Sequence, residues 1–270
     1  MRILKRLFDF YLRSSIHVAL AVFALVLMTQ YMFGIVNGNA VAFFAFFGSI
    51  TGYNFVKYDA LARIGKRDLS VQLKAIAALS FFSTIACGFF FFKLKVQTQL
   101  IAFVFLGLTL LYTLPFFPNR KNARNWAGVK IYIVALCWSG VTVMLPIIDA
   151  NVDISFQVYL KALQRFILVF VLILIFEIID LSKDDPHLQT VPQQIGVKPT
   201  KILGIVLLLV FYAMEFFRIH MDNSQLIVNS VLVVGLTLLL VFANVNRSKY
   251  YTLFWVESVP VCWYCLVLLV

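Results

Sequence analysis

An all-α, multi-pass membrane protein is the fold class this sequence predicts, and three observations carry it. Of 270 residues, 62% are hydrophobic and only 13% charged, where soluble domains carry about a quarter charged residues. The apolar residues fall in repeated runs of about 20, long enough to cross hydrocarbon as helices, whereas barrel strands show short alternating segments. The basic residues gather in alternate connections between the runs, as the positive-inside rule requires. A net charge of +11 would also suit nucleic acid, but no extended soluble basic region carries it. The partners expected are membrane lipids and anionic substrates, not nucleic acid.

The runs predict nine spans in a single transmembrane domain over 1–270: 15 to 36, 40 to 57, 72 to 92, 97 to 117, 129 to 148, 157 to 180, 200 to 219, 224 to 244 and 251 to 270. The first follows a basic segment with Arg2, Lys5, Arg6 and Arg13. It is too long for a signal peptide and lacks a small-x-small cleavage site, so it reads as a retained helix. The second and third carry FFAFF at 43–47 and FFFF at 89–92, which face lipid or neighbouring helices. After the second comes GYNFVKYDALARIGKRDLS, and after the fourth YTLPFFPNRKNARNWAGVK, both strongly basic. The sixth holds the apolar run Val158 to Phe176 and leads straight into acids. The seventh closes with Glu215 and Arg218, spaced to pair across one turn. The ninth places Glu257 near its start, where a polar cavity would accommodate it. All four cysteines lie inside spans, and Cys262 and Cys265, despite their spacing, have no second pair or histidine cluster to bind a metal with. His17 and His220 are likewise without companions, while His187 stands beside the acids.

With the N-terminus inside, 18 of the 23 Lys and Arg residues fall on the cytoplasmic side. Lys93, Lys95, Lys161, Arg165 and Arg218 remain on the other. An odd number of spans with a cytoplasmic N-terminus follows, in a membrane expected to be a bacterial inner (plasma) membrane. The connections after spans two, four, six and eight then share one face, and nearly all the polar chemistry collects there.

The centre of that chemistry is EIIDLSKDDPHLQTVPQQIG, residues 177–196. If the sixth helix continues through it, Glu177, Asp180 and Asp184 share one face. An acid at mid-bilayer costs about 2.5 to 3.5 kcal/mol, so three of them need a metal, basic partners or a water-filled mouth. Carboxylates facing Lys and Arg from adjacent loops suit a diphosphate bound through Mg²⁺, which combines one or two carboxylates with phosphate oxygens and water. No GxxxxGK[ST] or GxGxxG loop is present to hold a nucleotide. A polar mouth on apolar, Phe-rich helices fits a charged head with a hydrocarbon tail, as in a prenyl diphosphate.

The same stretch resembles the second signature of the UbiA superfamily of intramembrane prenyltransferases, in which D-x-x-D-x-x-x-D runs into T-x-P-x-x-x-G. Glu177, Asp180 and Asp184 match the acidic positions, Glu replacing the first Asp, and Thr190, Pro192 and Gly196 match the tail. Tyr112 and Pro115 with the basic residues after them resemble the family's segment following helix 4, and Lys66 and Arg67 its basic loop after helix 2. The first signature, N-D-x-x-D-x-x-x-D, has only Asn54 and Asp59 as counterparts, with Lys57 between them.

The resemblance implies a UbiA-like bundle with a central cavity open to the cytoplasm. It implies Glu177, Asp180 and Asp184 as Mg²⁺ ligands, and Asn54, Lys57, Asp59 and Asp180 as catalytic residues. Lys66, Arg67, Tyr112, Arg120, Lys121, Lys130 and Lys183 would bind the diphosphate. A prenyl cation would be shielded by apolar walls, with Tyr53, Tyr58 or Tyr112 adding cation–π attraction, before attack by a lipophilic, often aromatic acceptor. Two readings stay open: Lys57 replaces one metal in a working transferase, or the fold is kept to bind lipid or assemble in the membrane without transfer. A transporter ranks last, because its ionisable groups belong at the midplane.

Overall fold

The computed structural model describes residues 2–63, 70–113, 128–218 and 223–269, and all regular structure among them is helical. In order these are α1 (Arg2–Arg13), α2 (Ile16–Met32), α3 (Asn39–Arg63), α4 (Val71–Phe91), α5 (Val96–Thr113), α6 (Val129–Ser139) and α7 (Leu145–Asp149). Then come α8 (Phe156–Asp180), α9 (Val191–Ile195), α10 (Val197–Ala213), α11 (Asn223–Val241) and α12 (Glu257–Leu268). Among the described residues seven stretches are long and apolar enough to cross a membrane, eight if α1 and α2 count as one bent span. The chain is an integral, multi-pass membrane protein. Two predicted spans account for the difference from nine. The first stops at Met32, where Phe33 and Gly34 turn the chain, leaving α2 with 17 residues. The other, predicted over 97 to 117, shows the apolar helix Val96–Leu111 and continues outside the described residues.

α1 is not part of that first span. It meets α2 at 56°, the bend made at Ser15 in a left-handed conformation. Arg6, Asp9 and Arg13 alternate with exposed Ile3, Leu4 and Leu7, the composition of a helix lying in the interface. Its anchor is Asp9, whose Oδ1 accepts from Tyr250 Oη at 2.8 Å and Lys249 Nζ at 3.1 Å. These bonds hold the carboxyl below the usual aspartate range.

α8 is the axis of the bundle: 72% of its window is buried, against 11% for α4, which therefore lies at the lipid edge. Ile167, Leu168, Val171, Leu172 and Ile175 give α8 apolar surface for α2, α10, α11 and α12, meeting Leu25, Leu208, Phe211, Leu236 and Trp263. In lipid this packing gains by close fit more than by leaving water. Gly140 illustrates the point, since a Cβ there would collide with the Phe105 ring of α5. The expected phenylalanine runs meet along α3 and α4, with Phe90 stacked on Phe43 at 5.1 Å and on Phe47 at 6.0 Å.

Two helices are interrupted by wide π turns, Gly140–Met144 before α7 and Tyr251–Val256 before α12. A proline follows each. Pro146 has no N–H to give the carbonyl of Thr142 four residues back. That oxygen accepts instead from Thr29 Oγ1 of α2 at 2.7 Å. In the second turn, Phe254 O accepts from Ser258 Oγ at 2.6 Å and His17 Nε2 at 3.1 Å, and Tyr11 Oη donates to His17 Nδ1 at 2.7 Å.

Candidate functional site

α8 ends at Asp180 rather than running on through Asp184. One further turn follows, in which the N–H groups of Lys183 and Asp184 donate to Asp180 O at 2.8 and 2.9 Å. Asp185 then caps the short turn Pro186–Leu188 by accepting from His187 N at 2.9 Å. The segment returns at Thr190, where Gln193 Oε1 accepts the Thr190 N–H at 2.9 Å, and ends at Gly196, whose φ of +86° only glycine takes without strain. The T-x-P-x-x-x-G pattern is thus a cap, a first-turn proline and a left-handed stop. It makes a rigid loop.

Glu177 fastens this loop to α8. It is 3% exposed, and its Oε2 accepts from Val191 N at 3.1 Å, filling one of the donors that a helix start leaves over. Lys130 and Asp184 lie within electrostatic reach of it. Lys130 arrives through the chain entering α6, where Gly128 N donates to Leu188 O at 3.4 Å. Asp180 is half-open: its Oδ1 faces Lys183 Nζ at 3.3 Å, with 42% of the Asp180 side chain exposed. Such a pair contributes under about 1 kcal/mol and yields readily to a ligand.

Glu177 and Asp180, both in the last turn of α8, take different places, one buried and one half-exposed, and Asp184 follows one turn beyond the helix end. Among the described residues no three His, Cys, Asp or Glu side chains converge to hold a metal ion. The helix that was to carry all three acids on one face stops at Asp180. What remains fits an ion shared with phosphate oxygens, for which one or two hard carboxylates suffice and Lys130 and Lys183 supply the matching positive charge.

The first-signature residues turn elsewhere. Asn54, buried, donates through Nδ2 to Ser80 Oγ of α4 at 2.9 Å. Lys57 donates through Nζ to Ser15 Oγ at 3.0 Å, at the bend between α1 and α2, and feels the charge of Glu257 on α12. Tyr58 Oη donates to Arg13 O at 3.0 Å, and Tyr53 Oη accepts from Trp138 Nε1 at 2.7 Å. Lys57 and Glu257 thus sit in one polar recess with Ser15 and Tyr11. Sequence reasoning singled out both charges but not that the fold brings them within electrostatic reach of each other. Asp59 lies in the last turns of α3 and Tyr112 in that of α5, their side chains outside the described residues, as are Lys66, Arg67, Arg120 and Lys121 altogether.

A second polar cluster, which the sequence presented only as topology, lies at the far end of α8. Lys161 and Arg165 are 4% and 0% exposed and sit inside the bundle, not in a loop. Glu215, beyond α10, faces Lys161 Nζ at 3.6 Å and Arg218 at 3.2 Å, and accepts from Gln164 Nε2 at 2.7 Å. Arg165 donates to Leu25 O at 3.2 Å and lies over the Trp263 ring at 5.3 Å.

No family model matches the chain, nor does any curated protein. Among solved structures it is similar to the apo structure of a UbiA homolog from Aeropyrum pernix K1, at 14% identity and a TM-score of 0.65, over 94% of this chain and 97% of that one. At that identity the likeness is one of fold, and the fold is UbiA-like.

Proposed function

We propose that this UbiA-fold protein spans the membrane nine times and transfers a prenyl group from a prenyl diphosphate to a lipophilic, aromatic or isoprenoid acceptor. The observation that supports it best is the half-open patch of Asp180, Asp184, Lys130 and Lys183 around a loop pinned by Glu177, at the foot of the most buried helix. Magnesium bound there would draw charge from the diphosphate as the allylic C–O bond breaks. Asp180 and Asp184 are the residues to hold it, with Glu177 setting the loop behind them. Lys130 and Lys183 neutralise phosphate oxygens, joined by Tyr112 at the end of α5 and by Lys66, Arg67, Arg120 and Lys121 from the segments after α3 and α5. Lys57, steadied by Ser15, supplies positive charge where the family's first signature would place acids. Asn54 orders α3 through Ser80, and Asp59 completes that half.

A second reading rests on a specific observation: Asn54 and Lys57 spend their bonds on α4 and on the α1–α2 bend. A protein keeping the fold to bind an isoprenoid or other lipid, without transfer, would show the same.

Purified protein incubated with labelled prenyl diphosphates of several lengths, Mg²⁺ and a membrane-lipid extract distinguishes the two. Transfer that disappears in Asp180→Ala and Asp184→Ala supports the enzyme. Diphosphate binding with no transfer at any chain length leaves the lipid-binding reading.

A further inference from the structure

At the end of the bundle away from the acid loop lies a cavity of about 280 Å³ between α2, α8 and the chain after α10. Its polar lining is Lys161, Gln164, Gln157 and Arg218, and its apolar wall includes Met32 and Phe33. Lys161 stands sixteen residues before Glu177 on α8, about 24 Å away at 1.5 Å per residue. This is a separate place from the proposed prenyl site.

The charges there do not balance. Among the described residues Glu215 is the one acid set against Lys161 and Arg218, with Arg165 one turn further along α8. Its two oxygens are already shared, Oε2 with Arg218 and Oε1 between Gln164 and the more distant Lys161. Lys161 Nζ, on a side chain 5% exposed, makes no hydrogen bond at all. Gln164 Oε1 is also without a partner, and its orientation is fixed because its Nε2 donates to both Glu215 and Phe211 O. A buried ammonium with unfilled donors is costly in hydrocarbon. An anion in the cavity would fill them.

We propose that this cavity binds a phosphate-type oxyanion. A tetrahedral group has enough acceptor oxygens to bridge Lys161 on α8 and Arg218 on the chain after α10. The volume lies at the small end for ligand sites, so it admits a headgroup and not a whole lipid, with Met32 and Phe33 placed to meet the carbon attached to it. The shared chemistry has two sources, an anionic phospholipid headgroup or free phosphate, and the test separates them.

The full chain is reconstituted in phosphatidylcholine nanodiscs with and without phosphatidylglycerol, and separately with millimolar inorganic phosphate. Thermal stability and the phospholipid retained in native mass spectrometry are read for wild type, Lys161→Met, Arg218→Gln and, as a control for general surface attraction, Lys93→Gln. Wild type and Lys93→Gln should gain stability from phosphatidylglycerol and retain one molecule of it, with retention about tenfold lower in Lys161→Met and Arg218→Gln. The same Lys161-dependent gain with phosphate in pure phosphatidylcholine assigns free phosphate as the source. No gain in wild type from either probe overturns the proposal, and so does an undiminished gain in both folded variants. Should Lys161→Met not fold, Arg218→Gln decides by the same criteria. None of these outcomes depends on prenyl transfer.

Discussion

The two ends of α8 handle charge in opposite ways. At the C-terminal end, acids stand beside the 186–196 loop, one satisfied by a backbone N–H and another half-exposed with a replaceable lysine. At the N-terminal end, cations are enclosed, and one carboxylate must serve several of them. The helix dipole explains neither arrangement, since it favours anions at the start of a helix and cations at the end. Charge held against the dipole in a membrane needs a counterpart from elsewhere. The open end can draw one from the aqueous phase, whereas the closed end depends on its internal network.

The sharpest way to break this contrast is Glu215→Ala. Removing one partner of a buried ionic network costs about 3 to 5 kcal/mol, because Lys161 and Arg218 lose the acid between them. A large fall in thermal stability should follow, and Glu215→Gln, which keeps a hydrogen-bonding oxygen for Gln164, should lose less. Asp180→Ala tests the open end and should do the reverse, lowering prenyl transfer about a hundredfold while stability moves by under about 1 kcal/mol. A large stability loss there would mean that the acid end is as structural as the cation end.

Glu177 lies between the two styles, and a pair of substitutions assigns it. Glu177→Ala should cost about 1 to 2 kcal/mol by leaving the Val191 N–H bare, read as earlier proteolysis of the 186–196 loop. Glu177→Gln keeps the acceptor and should restore the loop. Transfer that survives in Glu177→Gln makes the residue an anchor, and transfer lost in an intact loop makes it part of the ion site.

The smallest effect concerns α1. The Asp9 carboxyl is held below its usual value of 3.8 by Tyr250 and Lys249. Its contribution to docking α1 is therefore complete above the ordinary aspartate range and lost as pH falls through the lowered value. Hydrogen exchange of α1 amides should quicken below about pH 4, and Asp9→Asn should remove that dependence.

The helices were legible because a run of some 20 apolar residues has few alternatives in a membrane. In the loop at 186–196 the sequence showed Thr190, Pro192 and Gly196 only as a resemblance, and the structure supplies their local roles as cap, first-turn proline and glycine stop. What escaped was long-range. The spacing of Glu177, Asp180 and Asp184 suggested one face, but α8 ends at Asp180 and Val191 claims the first acid. Lys161 and Arg165 fell inside the sixth predicted span with no visible partner, because nothing local reveals that Glu215, 54 positions after Lys161, comes back to it, or that Leu25 and Trp263 meet Arg165. The bond of Lys57 to Ser15 and its electrostatic reach to Glu257 join distant parts of the chain in the same way.

The bond from Thr29 to the carbonyl freed by Pro146 bears on how the protein is made. Newly inserted helices α6 and α7 carry a backbone oxygen, that of Thr142, for which Pro146 offers no donor four residues on, and in lipid an unsatisfied group costs several kcal/mol. The donor is on α2, which leaves the ribosome more than a hundred residues earlier. Synthesis order and chemical need therefore agree, the earlier helix waiting to receive the later one. A chain begun at residue 33 would lack that receiver, and is expected to be cleared by membrane proteases under conditions in which the full chain accumulates.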